Sequence, residues 1–246
     1  MRLIKLKTFL VVALAVLTLT GLWAATIQAK TRADETISSS YGDKLDAYFQ
    51  QAQKYVQNKD FASAAYQIRK GALVLRAAAE HAEGTLENAL LTSAEELESL
   101  AKGLDKKTAY SAEEARQAFS RAHQAMAEYY DLKASKSWAN NAISQVADDL
   151  NAAADHLEKG WAWLGHKEEV GTQATIAYAR HLGNKIKAGT QWVAAEVNKG
   201  VDDIHREVEK LKGASTSKSH GPLKVVPMQP SDMVGAGQNL IGAIVR

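Results

Sequence analysis

The chain has 246 residues, with Lys+Arg 30 against Asp+Glu 28, a formal charge of +2 and no cysteine. So even a balance leaves no basic footprint for nucleic acid. Without cysteine there is no disulfide framework, no lipidated cysteine at the end of a leader, no c-type haem attachment and no thiolate chemistry.

Residues 1–29 read as an export leader. Arg2, Lys5 and Lys7 form a basic start, Thr8 to Ile27 carries no charge, and Ala29 with Ile27 two before it forms an acceptable small-residue cleavage site. The rival is an uncleaved anchor, because roughly twenty uncharged residues rising 1.5 Å each just span a ~30 Å hydrocarbon core. Either reading puts residues 30–246 outside the cytoplasm, and a cysteine-free exported chain points to a bacterial periplasm or exterior. Losing Arg2, Lys5 and Lys7 with the leader takes the formal charge from +2 to −1.

After a linker at 30–42, all three prolines (Pro222, Pro227, Pro230) fall in the tail. A long proline-free stretch rich in Ala, Leu, Glu and Lys predicts long helices, since proline inside a helix costs ~3 kcal/mol. The first is expected over 43–57. A second runs over 60–104, where Phe61, Ala65, Ile68, Ala72, Leu75, Ala79, Ala82 and Leu86 step by fours and threes. Leu90, Leu97, Leu100 and Leu104 resume the seam after a phase slip. Ser111-Ala112-Glu113-Glu114 is a capping box that opens a third helix, running to about 139. A fourth covers 142–164 and stops at Gly165, although the third and fourth could be continuous. The fifth, over 167–212, carries Leu182, Ile186, Val193, Val197, Val201, Ile204, Val208 and Leu211 on one stripe, with Gly213 as its stop. The expected fold is therefore all-α: an elongated antiparallel bundle of about five helices, two long and three shorter, over 43–213. The tail 214–246 is a Ser/Thr/Lys linker, an extended proline-punctuated stretch, and the apolar end MVGAGQNLIGAIVR.

Two stretches share a grammar. Lys54, Asn58, Ala65, Ala72 and Leu75 meet Lys136, Asn140, Ala147, Ala154 and Leu157 without gaps, and Phe61, Ala64 and Ile68 meet Ile143, Val146 and Leu150. Each has an apolar run, a short polar break and a second run, the pattern of a helical hairpin. Around 48–75 the first resembles a tetratricopeptide-type hairpin: Tyr48, Ala52 and Tyr55 match the first helix, and Phe61, Ala64, Ile68 and Gly71 the second. The resemblance covers about one unit and lacks the terminal proline, with Arg76 near that place. It implies hairpin geometry and no binding residues, because one hairpin cannot form the repeat superhelix.

An antiparallel arrangement sets His123 beside His156 and brings Tyr178 and His181 within one or two turns. Imidazoles converging in a bundle bind transition metals or haem, so His123, His156 and His181 are the candidate ligands. Against this, His123 and His156 flank the apolar seam, which reads as half-exposed surface. A di-iron centre is poorly matched: the residues three before His81, His123, His156 and His181 are Ala78, Ser120, Ala153 and Tyr178, and only Asp202-x-x-His205 comes near. No zinc-protease, phosphate-loop or nucleophile-elbow motif occurs, so no enzyme is expected. Trp161 is read as core or an end plug, and Trp163, beside Gly165, as partly exposed and suited to a partner or a lipid headgroup. Leu240, Ile241 and Ile244 in the apolar end complete the candidate interaction surface. The leading expectation is an exported, non-enzymatic bundle acting by protein–protein interaction, as a scaffold, adaptor or chaperone-like part, with a protein partner or a second copy. The alternatives are a metal- or small-ligand-binding bundle using His123 and His156, and peripheral lipid or membrane binding through Trp161, Trp163 and the C-terminal tail.

Overall fold

The structure, a computed structural model, describes residues 44–106, 111–165 and 170–216. The chain divides into Met1–Ser40 and Tyr41–Arg246, and all described residues belong to the second unit. The expected leader and the apolar end with Leu240, Ile241 and Ile244 lie outside the described residues.

The fold is all-α. Among the described residues there are seven helices: α1 (44–57), α2 (Phe61–Ala79), α3 (Thr85–Asp105), α4 (Ala112–Ala139), α5 (Ile143–Trp163), α6 (Val170–Lys187) and α7 (Ala194–Thr216). Two of the expected boundaries are set by local chemistry. The capping box forms, with Glu114 N–H donating to Ser111 Oγ at 2.9 Å and Ser111 N–H to Glu114 Oε2 at 3.3 Å. α5 closes just before Gly165, whose φ of +69 is a left-handed conformation that glycine adopts without strain.

Neither long helix survives as one piece. The helix expected over 60–104 breaks after Ala79, and Gly84, at φ 65 and ψ −124, turns the chain into α3. That backbone region is essentially restricted to glycine, so the reversal requires glycine at this position. α3 folds back on α2, with Arg76 Nη2 2.9 Å from Glu98 Oε1 and Arg69 paired with Asp105. The helix expected over 167–212 breaks likewise at Gly189, φ 64, giving α6 and α7. At its far end Gly213 does not stop the chain. α7 continues to Thr216, held by Ser215 Oγ donating to Gln124 Oε1 at 3.1 Å and by Arg121 Nη1 donating to Ser215 O at 3.4 Å. Local glycine signals were thus present at 84, 189 and 213, and tertiary packing chose which of them became turns.

The two hairpins noted in the sequence share their turn. Asn58 and Lys59 N–H donate to Lys54 and Val56 O, and Asp60 N–H to Tyr55 O. Asn140, Asn141 and Ala142 repeat this on Lys136, Trp138 and Ser137, and Lys59 and Asn141 both have positive φ. The same bonds recur at Ala188, Gly189 and Thr190, where the sequences do not align. The shared geometry is therefore the general helix-ending motif with a left-handed residue, and common ancestry is not needed to produce it.

α4 is the hub, packing on α5 most extensively and also on α2, α3 and α7. α1 lies against it through Phe49, which stacks on Phe119 at 4.2 Å between ring centroids. One continuous core runs through Leu45, Phe49, Ile68, Leu75, Leu90, Leu97, Phe119, Met126, Leu150, Leu157, Leu182, Ile204 and Leu211. Burying each such side chain is worth about 1.5–3 kcal/mol. Among the described residues, no helix is long and apolar enough to cross a membrane.

Candidate functional site

The most unusual chemistry in the core lies where α1, α4 and α5 meet. His123 on α4 and His156 on α5 are 0% and 1% exposed, and their Nδ1 atoms are 2.9 Å apart. The expected adjacency is present, but the expected half-exposed setting is not. The Ala-rich faces of α4 and α5 (Ala122, Ala127, Ala153, Ala154) let the two backbones approach, and α1 covers the outer side with Phe49, edge-on to His123 at 5.5 Å. Tyr130 stacks on His156 at 5.6 Å and 12°.

At 2.9 Å one Nδ1 must carry hydrogen and the other must be bare. His123 Nε2 points to Asp46 Oδ1 on α1 at 3.5 Å, too long for a good hydrogen bond yet within ion-pair reach. Placing hydrogen on His123 Nε2 directs it at this carboxylate, which leaves His123 Nδ1 to accept from His156 Nδ1–H. The same Asp46 oxygen accepts from Trp163 Nε1–H at 3.0 Å. Asp46, Trp163, His123 and His156 thus form one chain of polar contacts through the core.

Complete burial pushes the His123 imidazole below its ordinary value, against the pull of Asp46, and Lys159 adds to the push. His156 is driven well below, by burial first and then by its neighbours His123 and Lys159. Burial works to raise the Asp46 carboxyl, but His123, the Trp163 indole and Lys159 outweigh it and hold it below the usual range. Both rings are therefore neutral near pH 7, and Asp46 is ionised.

Of the three candidate metal ligands, the structure unites His123 and His156 and leaves His181 exposed on α6. Tyr178 is directed elsewhere, donating to Glu196 O at 3.2 Å. Among the described residues no three His, Asp or Glu side chains are grouped to hold a metal ion. Trp163 is 9% exposed and committed to Asp46, which removes it from any outer surface, and Trp161 is half-buried. Asp46 was missed in the sequence because an aspartate near the start of an amphipathic helix has the pattern of a solvated group.

Asp131 and Asp149 are among the further polar groups buried in the bundle. Asp131 is buried and its Oδ2 is 2.8 Å from His205 Nδ1 on α7; burial raises the carboxyl, while its hydrogen bond raises His205. Asp149 accepts from Ser137 Oγ at 3.1 Å and lies 3.5 Å from Lys133 Nζ, yet burial still lifts it to about 6. No protein-family model, curated protein or solved structure matches the chain.

Proposed function

We propose that the protein is an exported, non-enzymatic helical bundle that works by binding another protein through the outer face of α2. Export rests on the leader pattern of residues 1–29. The binding reading rests on one observation: Tyr66 and Leu73, one heptad apart, are 58% and 63% exposed, although the opposite face of α2 is fully used by Ala64, Ile68, Gly71, Ala72 and Leu75. Exposed Ala62 and half-buried Ala77 continue the stripe in both directions. Apolar residues at this spacing form half of a helix-to-helix seam, so the partner that fits is an amphipathic helix. Lys70 lies 4.6 Å from the Tyr48 ring centroid and 5.3 Å from that of Tyr66, which gives this face a cationic-aromatic centre complementary to an acidic flank on the partner.

The test places a photo-crosslinking residue at Leu73 in the full chain, in cells that produce the protein natively, with exposed Asn88 on α3 as the control position. A discrete protein adduct at 73, absent at 88 and lost with Tyr66→Glu, supports the reading. Equal labelling at both positions, or adducts to lipid alone, refutes it.

A further inference from the structure

We propose that Asp46, His123 and His156 form an acid-released latch, which fixes α1 against α4 and α5 while the two rings share a hydrogen bond and frees α1 once both rings are protonated. The geometry sets the limit. Four ring nitrogens carry two hydrogens in the neutral pair, and a third fits: His123 then faces Asp46 with Nε2–H at ion-pair distance and donates at Nδ1 to His156. A fourth puts two N–H groups face to face across 2.9 Å and two cations where neither ring is exposed.

The groups facing the pair are few. α1 offers Asp46, α5 offers Lys159, which opposes protonation, and α4 offers the Tyr130 ring. α7 reaches this level through Leu211, whose Cδ2 would lie 2.7 Å from a Cβ at Gly160, itself 3.5 Å from His123 Cβ. The nearby charges Arg121, Glu128 and Lys212 are engaged with Glu96 and with one another. Among the described residues, one carboxylate therefore answers the first proton and none answers the second.

α1 is the element that gives way. Leu45, Phe49 and Ala52 are its fully buried side chains, and lifting it brings water to His123 while α4 and α5 stay paired. Because the closed state accommodates the first proton, only the second separates the two states, and it shifts the closed-to-open ratio by up to about tenfold per pH unit below the free value of the ring.

Because the chain has no cysteine, spin labels can be placed on introduced cysteines in the full chain. One pair is Ala47→Cys on α1 with Ala162→Cys on α5; a control pair is Ala62→Cys on α2 with Ser99→Cys on α3; all four sites are exposed. The expected result is a single narrow 47–162 distance at about pH 7.5 that lengthens and broadens by about pH 5, with the 62–99 distance and helical circular dichroism unchanged. His156→Gln, which cannot take the second proton, moves the midpoint lower or abolishes the opening. Three results overturn the latch: a 47–162 distance unchanged to about pH 4.5, opening only together with the control pair, or the same midpoint in His156→Gln and wild type.

Discussion

Replacing both buried histidines, His123→Gln with His156→Gln, reverses the sign of the acid response of stability. In the unfolded chain each imidazole titrates near 6.5, whereas in the fold both are held lower by burial. Below 6.5 the unfolded state therefore binds more protons, and stability falls as pH falls. From about pH 7.5 to about pH 5.5, a ring that stays neutral in the fold loses ~1.4 kcal/mol, and the pair at most ~2.7 kcal/mol. Asp149 works the other way. Its folded value of about 6 exceeds the free 3.8, so over the same interval the folded state gains protons worth ~0.8 kcal/mol. His205, raised by Asp131 and largely exposed, adds a smaller contribution of the same sign. Wild type should lose up to about 2 kcal/mol on acidification, and the double variant should instead gain up to about 1 kcal/mol. Urea titrations of each protein at both pH values, with comparable m-values, measure this. An acid loss of wild-type size in the double variant would refute the assignment of buried neutral rings.

Gly71→Ala places a Cβ 2.6 Å from Phe49 Cε1, and Phe49 cannot give way while stacked on Phe119; overpacking of about 1–3 kcal/mol then outweighs a helix-propensity gain of about 1 kcal/mol, and the denaturation midpoint falls. Gly84→Ala and Gly213→Ala should have opposite signs in the same assay. Both sites are sterically open, but Gly84 holds a glycine-only backbone at a cost of about 1–3 kcal/mol to any other residue, whereas Gly213 lies inside α7 and alanine there gains up to about 1 kcal/mol. Asp149→Asn should steepen the loss of stability on acidification between about pH 6.5 and pH 4, because it removes a contribution that opposes that of the two buried histidines. The wild-type carboxyl contributes stability in its protonated form that is lost as pH rises from 3.8 through about 6, at most ~3 kcal/mol, and asparagine has no proton to lose. An unchanged profile would mean that Lys133 and Ser137 keep the carboxylate as stable inside as in water.

By itself the sequence determined the helical class and several helix ends, because these depend on signals a few residues long. The apolar period of 61–79, the capping box at Ser111 and the left-handed Gly165 all act within one or two turns of chain. It also placed His123 level with His156, since antiparallel neighbours joined by the short turn at Asn140-Asn141 have a fixed register. Tertiary structure alone decided which glycines became reversals. An apolar stripe continues equally well through a straight helix or a folded-back pair, and the choice rests on where the core can close over Leu75, Leu90 and Leu97. It also decided that the histidines are buried. Nothing in the period of α4 or α5 says that α1 covers their shared edge; that cover is supplied by Phe49 and Asp46, remote in sequence, and it gives two residues beside an apolar seam a water-free environment and Asp46 as their charged partner.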